Sequence, residues 1–292
     1  MVPVDLSGQV IMVTGATSGI GRETARGLAE MGAHVVITGR NRAAGEKVVA
    51  TIEAETDGSA TLLIADFAEP DEVRRLAREF REQYDRLNIL VHNAGTFEGT
   101  RTLTATGVEK TLAVNHLAPM LLTYELIDML VASQGRIVVV SSDAHRGARM
   151  HFDDLSLEGS FSGMKAYGQS KLANVLFTYE LARQLKGTGV TANALHPGVI
   201  PQTGLTRNSS LMARAGFNAM RLVPGLTTSE RGGAQTSIYL AASPEVAGVS
   251  GNYFDGEKAV RSASNTYDTD AQKRLWTWSV EQLGLRAELP LD

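Results

Sequence analysis

Tyr167 and Lys171 stand four residues apart in the run Ala166-Tyr167-Gly168-Gln169-Ser170-Lys171-Leu172-Ala173. On a helix that spacing places both side chains on one face, one turn apart. A free phenol has a pKa of about 10. A cation held beside it favours the phenolate and lowers that value. A tyrosine tuned in this way exchanges a proton near neutral pH. A surface tyrosine and a surface lysine on an amphipathic helix share the same spacing, and two residues alone do not separate the readings. Ser142 closes an apolar run at residues 136–140. Its hydroxyl both donates and accepts, so it suits a substrate oxygen that takes a proton from Tyr167. A Ser-His-Asp hydrolase is the competing chemistry. No Gly-x-Ser-x-Gly surrounds Ser142, and a serine beside a Tyr-Lys pair needs no histidine base. His145 and His151 do not have a helical ligand spacing and the chain has no cysteine, so no metal site is expected. His145 is read either as lining a substrate pocket or as facing solvent.

Short apolar runs at residues 9–14, 34–38, 60–65, 88–92, 136–140 and 189–195 alternate with helical patterns, and a further run lies at 252–254. Continuous apolar strands separated by helices indicate a parallel sheet covered on both faces. The expected architecture is α/β: one Rossmann-type, doubly wound domain over residues 1–292, with a parallel sheet of about seven strands. A long helix is expected at residues 105–132, bent near Pro119. In such folds ligands bind beyond the carboxyl ends of the strands. The polar residues that break the pattern fall at those ends: the 15–21 turn, Arg40, Asp66, Asn93-Ala94-Gly95, Ser141-Ser142 and His196-Pro197-Gly198.

The turn Gly15-Ala16-Thr17-Ser18-Gly19-Ile20-Gly21 lies between the first strand and the first helix. Glycines let backbone approach a ligand, and a helix N-terminus offers free N–H groups to a pyrophosphate. A purely structural tight turn is the other reading. At the end of the second strand an acid would hold a ribose 2′-hydroxyl, whereas an arginine suits a 2′-phosphate. Gly39 takes the acid's place and Arg40 follows, which favours NADP(H) and leaves NAD(H) possible. Arg42 either assists or faces water. Asp66 is read as an acceptor for the adenine amino group or as a loop acid, and Asn93-Ala94-Gly95 as packing on a ribose or as a turn.

The net charge of -4 argues against nucleic-acid binding. The balance of 43% hydrophobic and 21% charged residues over 292 positions is that of a globular chain. Absence of cysteine fits a reducing compartment. No basic segment leads into an apolar run at the N-terminus, and no stretch nears the roughly 18 apolar residues of a membrane span. A cytoplasmic protein is expected.

Thr14-Gly15-x-x-x-Gly19-x-Gly21, Asp66, Asn93-Ala94-Gly95, Asn115, Ser142, Tyr167-x-x-x-Lys171 and Pro197-Gly198 together resemble the short-chain dehydrogenase/reductase family in its single-domain branch. The runs Gly21-Arg22-Glu23-Thr24-Ala25, Val114-Asn115-His116-Leu117, Ser141-Ser142-Asp143-Ala144-His145 and Lys171-Leu172-Ala173-Asn174-Val175-Leu176-Phe177 resemble its retinol dehydrogenase-like group. The resemblance implies that Tyr167 is the general acid in reduction and the base in oxidation. It implies that Lys171 lowers the Tyr167 pKa and binds the nicotinamide ribose, that Ser142 orients the substrate oxygen, and that Asn115 holds a water linking Lys171 to solvent. Cofactor contacts are implied for Gly15, Thr17, Ser18, Gly19, Ile20, Gly21, Asp66, Phe67, Asn93, Ala94, Gly95, Pro197, Gly198 and Val199. Thr203, one residue later than the family pattern, is the candidate for the carboxamide.

The implied partner is a small alcohol or carbonyl compound, and a hydrophobic one suits the apolar side chains of residues 199–228. That stretch is read as a lid or as a buried helix pair. Homodimers or homotetramers through the two long helices are a family habit. A catalytically silent NADP(H)-binding regulator or scaffold is the alternative function, and a missing Tyr or Lys would have favoured it. A sugar-nucleotide epimerase would need a longer C-terminal region.

Overall fold

The computed structural model describes residues 4–200 and 227–291. Thr203 and most of the 199–228 stretch lie outside the described residues. The strands are β1 (Val10–Val13), β2 (His34–Gly39), β3 (Ser59–Ile64), β4 (Ile89–His92), β5 (Arg136–Val140), β6 (Thr191–His196), β7 (Tyr253–Asp255) and β8 (Lys258–Val260). They form one sheet in the order β3-β2-β1-β4-β5-β6-β7-β8. Every pair is parallel except β7 with β8, which is antiparallel. This is the doubly wound fold expected, with one strand more. Lys258–Val260 is a three-residue, wholly exposed strand. Its lack of burial removes the apolar run that marks the other strands.

The helices are α1 (Gly19–Ala29), α2 (Arg42–Glu55), α3 (Pro70–Gln83), α4 (Lys110–Leu112), α5 (Ala118–Ala132), α6 (Gly163–Gln184), α7 (Glu230–Ala242) and α8 (Thr269–Leu283). Alternate residues of each central strand enter opposite cores. Met12, Val36, Leu90, Ile137 and Val139 join the core with α3, α5, α6 and α8. Ile11, Val13, Val35, Ile37, Ile89, Val91, Val138 and Val140 join the core with α1, α2 and α7. That two-sided burial is why these strands read as unbroken apolar runs.

The helix expected at 105–132 starts later and is not regular. A π-helical turn, Ala113–Leu117, joins α4 to α5, and the Ala118 N–H donates to the Ala113 carbonyl five residues back. Pro119 follows at once. Proline has no N–H, so the regular α-helical bond to the Asn115 carbonyl is unavailable, and the chain widens just before the proline. The turn is pinned from outside by His116, whose Nε2 lies 2.8 Å from Ser279 Oγ on α8.

Arg136 closes the other face. Its Nη1 donates to the carbonyls of Leu240 (3.3 Å), Ala241 (3.1 Å) and Ser243 (2.8 Å), at the carboxyl end of α7. A cation there also suits the helix dipole. Arg136→Met keeps the aliphatic stem and removes the donors. The expected loss is about 2 kcal/mol of stability, read from urea unfolding.

Candidate active site

The strand order reverses between β1 and β4, and the chain leaves both strands there toward one crevice. The turn after β1 is built by its neighbour. Asn93 Nδ2 donates to the carbonyls of Thr14 (2.8 Å) and Gly15 (3.1 Å), while the N–H groups of Asn93 and Ala94 both donate to Thr14 Oγ1 at 3.0 Å. Gly15 has φ +65° and a Cβ there would stand 2.7 Å from the Ala94 Cα; a Cβ at Gly21 would stand 2.3 Å from Asn93 Nδ2. Two of the three glycines therefore serve packing within the protein. Gly19 differs: a Cβ on it would meet only Glu230 Oε1 at 3.9 Å. The Asn93 amide nitrogen is thus committed to the turn.

Ser18 is the N-cap of α1, yet its side chain makes no capping bond, and the first turn carries no acid. The N-termini of α2, α6, α7 and α8 are each capped by a side chain, and α3 has Asp71 and Glu72 in its first turn. The start of α1 thus keeps free N–H groups and its positive end toward the crevice. Thr17 and Ile20 are partly buried beside it. These features fit a dinucleotide pyrophosphate.

At the end of β2, a Cβ on Gly39 would lie 2.5 Å from Thr17 Cγ2. Thr17 fills the space that an acidic side chain would need. Arg40 is 60% exposed and its Nη1 lies 3.6 Å from Asp66 Oδ2, beyond β3. Asp66 Oδ1 accepts from the Ala68 N–H at 3.0 Å. Asp66 thus braces its own loop and stands beside Arg40 at the ends of β2 and β3. Phe67 is buried in the core.

The catalytic candidates converge on the same side of the sheet. Ser142 follows β5 and accepts from the Ala144 N–H at 3.2 Å. Its side chain stands near enough the Tyr167 hydroxyl to favour the phenolate. Tyr167 lies in the second turn of α6, its ring centroid 5.8 Å from that of Phe97. Lys171, one turn on and buried, donates from Nζ to the Val140 carbonyl at 3.0 Å and sits 5.7 Å from the Tyr167 ring centroid. Asn115 is fully buried on the π turn. Its Oδ1 accepts from the Thr96 N–H (2.7 Å), and its Nδ2 donates to the Thr96 carbonyl (3.0 Å) and Ser170 Oγ (2.9 Å). Ser170 Oγ in turn donates to the Tyr167 carbonyl at 2.8 Å. Gly95 is exposed, and a Cβ on it would point between Asn115 Oδ1 (3.4 Å) and Lys171 Nζ (3.6 Å). Glycine keeps that approach open.

The charges differ from the expectation in one respect. Burial pushes the Tyr167 phenol up to about 12, against the lowering effect of the nearby Ser142 side chain. Burial pulls Lys171 down to about 8. The ammonium is aimed at the Val140 carbonyl and the ring, so in the protein alone desolvation outweighs its pull on the phenol.

The sequence over residues 9–213 matches the short chain dehydrogenase family. The chain is a short-chain dehydrogenase. Human Retinol dehydrogenase 12 is 41% identical over 287 residues, covering 98% of this chain and 89% of that protein. Human Polyprenol dehydrogenase is 38% identical over 285 residues, covering 95% and 86%. These relatives put the dehydrogenase in the retinol dehydrogenase-like group. Among solved structures, the Pseudomonas aeruginosa RhlG/NADP active-site complex is similar at a TM-score of 0.70 and 29% identity, covering 87% of this chain and 97% of that one. Membership makes the dehydrogenase an oxidoreductase that uses a nicotinamide cofactor. No helix among the described residues is long and apolar enough to cross a membrane.

In this dehydrogenase Pro197, Gly198 and Val199 leave β6 toward the crevice, with Gly198 at φ +82° and the Val199 carbonyl accepting from the Thr228 N–H at 2.9 Å. His145 neither lines a pocket nor faces solvent, because it is fully buried. Sequence reasoning missed Ser170, which couples Asn115 to the Tyr167 backbone. Its position three residues after Tyr167 on a helix is the signal that would have found it. The Val140 carbonyl was also missed, since a backbone acceptor leaves no mark in residue types.

Proposed function

We propose that the chain is an NADP(H)-dependent oxidoreductase that interconverts an alcohol and an aldehyde or ketone, with Tyr167 as general acid and base. The observation that carries this reading is the convergence of three side chains: Lys171 Nζ lies 5.7 Å from the Tyr167 ring centroid, and Ser142 stands near enough the phenol to favour its phenolate. A carbonyl oxygen placed at that pair takes hydrogen bonds from both hydroxyls. The nicotinamide, when bound, supplies or accepts the hydride. Tyr167 holds its proton at neutral pH, since burial keeps the phenol high, and so stands ready to protonate the oxygen of a carbonyl being reduced. In oxidation it takes the proton back. Lys171 places a cation beside the phenol and favours the charge that forms there. Asn115 carries a carbonyl freed from regular helical bonding by Pro119, which suits a water between Lys171 and solvent.

The assigned cofactor contacts are Gly15, Thr17, Ser18, Gly19, Ile20, Gly21, Arg40, Asp66, Phe67 and the 93–95 turn, continued by Pro197, Gly198 and Val199. Gly19 and the uncapped start of α1 support the pyrophosphate position. Arg40 supports the choice of NADP(H), because its guanidinium is exposed where the 2′-group of the adenosine ribose would lie. Arg40→Asp is expected to weaken NADPH relative to NADH by about 10- to 100-fold. Titration of both cofactors checks this, and an unchanged ratio removes Arg40 from the 2′-phosphate.

A hydrophobic substrate is the reading we favour. Relatives are named for retinol and polyprenol, both apolar alcohols. Phe97 packs on Tyr167, and the exposed Met164 lies one helical turn before it. Cytoplasmic location is part of the same proposal and rests on the cysteine-free composition. A dimer through α5 and α6 would have to accommodate α8, which covers α6 by the stacking of Phe177 on Trp276 at 6.1 Å and the bond from Arg183 Nη2 to Gln272 Oε1 at 2.8 Å. The function is tested by offering a panel of aldehydes and ketones, retinal among them, with each cofactor. Reduction of an apolar carbonyl with NADPH is expected. Cofactor binding without turnover on any member would instead support the silent regulator.

A further inference from the structure

His145 is fully buried three residues after Ser142, and both ring nitrogens are engaged. Nδ1 lies 2.7 Å from the Ser142 carbonyl, and the Ala263 N–H donates to Nε2 at 3.1 Å. A carbonyl only accepts and a backbone N–H only donates. The ring is therefore held as the neutral tautomer with its proton on Nδ1, which donates to Ser142, and with Nε2 accepting. Burial favours the same uncharged form. Asp143, Arg146 and His196 are the charged or titratable groups around it, and the Tyr253 ring packs on it at 4.8 Å.

The segment that supplies Ala263 is itself fastened. Ser262 Oγ lies 2.7 Å from the Tyr179 hydroxyl on α6 and 2.6 Å from Thr266 Oγ1. Asn265 Nδ2 donates to the Ala148 carbonyl at 3.0 Å. Tyr179 and Tyr167 share one helix. A continuous set of hydrogen bonds thus runs from α6, through residues 262–266 and the His145 ring, to the backbone of Ser142.

We propose that His145 is the positioning residue of Ser142, clamping its carbonyl to the 262–266 segment so that the Ser142 hydroxyl stays on the substrate oxygen shared with Tyr167. The assignment rests on the functional reading above. It is tested by substitutions that separate the two ring bonds. His145→Phe keeps a ring and loses both. His145→Asn places an amide N–H near the Nδ1 position, so it retains the donor to Ser142 and loses the bond from Ala263.

With NADPH and an apolar aldehyde, His145→Phe is expected to lower kcat by about 10- to 100-fold with KM for NADPH unchanged, the scale of a small misplacement of a reacting group. His145→Asn should recover most of that loss. In a Ser142→Ala background His145→Phe should cost nothing more, because the group it positions is gone. Full activity in His145→Phe, no recovery in His145→Asn, or an equal loss in the Ser142→Ala background would each overturn the assignment. A wild type inactive on every substrate would sink the functional reading instead. The crystal structure of His145→Phe then decides the clamp without turnover: a displaced Ser142 supports it, and an unmoved Ser142 overturns it.

Discussion

Tyr167→Phe is expected to lower kcat for carbonyl reduction by about a thousandfold, while the affinity for NADPH changes by less than about threefold. The substitution removes one oxygen. In the proposed mechanism it takes away the proton donor and one of the two hydroxyls that would face the substrate oxygen. The ring remains, and with it the contact to Phe97 at 5.8 Å. Ser142 keeps its Ala144 N–H partner, so the β5 turn keeps a reason to hold its shape. Little stability is expected to be lost, because the ring and its packing on Phe97 are kept. Steady-state rates and cofactor binding measured on the same preparation check both halves. A variant as fast as wild type would remove Tyr167 from the chemistry.

Lys171→Met is expected to make the protein more stable and nearly inactive. Lys171 is 3% exposed, and burial lowers its pKa to about 8 from 10.5. That gap corresponds to about 3 kcal/mol of penalty for the buried ammonium. Its bond to the Val140 carbonyl returns about 1 kcal/mol, and Asn174 Nδ2 at 3.3 Å still serves that carbonyl after the change. A gain of about 2 kcal/mol near pH 7 is expected, with kcat down about a hundredfold. The pH dependence has a definite sign. Between the folded value of about 8 and the unfolded value of 10.5, the unfolded chain holds more protons, so wild-type stability from this group rises with pH. The penalty is present in full below pH 8 and disappears as the pH passes 10.5. The advantage of Lys171→Met should shrink across the same window. Denaturant unfolding at several pH values measures it, and an advantage independent of pH would show that Lys171 is not a buried charge.

Most of the sheet was legible because each central strand is buried on both faces and is apolar at most positions. β8 was not, because an exposed hairpin strand carries no such demand. The helix around Asn115 was misjudged for a similar reason. Composition marks 105–132 as helical, but the π turn depends on Pro119 and on His116 docking to Ser279, a contact 163 residues away in the chain. Ser142, Tyr167 and Lys171 could be found from residue type and spacing. The direction of the Tyr167 shift could not, since it depends on how much water burial removes. The glycine turn was legible as a site, but its division of labour was not. Gly15 and Gly21 serve Asn93 and Ala94, and buried Gly19 has open space before its Cβ position, which only the packing reveals. His145 carried no chemistry in the sequence because its partners are a backbone carbonyl and a backbone N–H.

Transfer of deuterium from NADPH carrying deuterium at both C4 positions of the nicotinamide to an apolar aldehyde is the most direct measurement of the central claim. Turnover should yield an alcohol carrying one deuterium on the former carbonyl carbon for each NADPH consumed, and Tyr167→Phe should slow that transfer by about a thousandfold. NADPH that binds and stays unoxidised with every aldehyde and ketone, or is consumed without label reaching the product, would contradict the account.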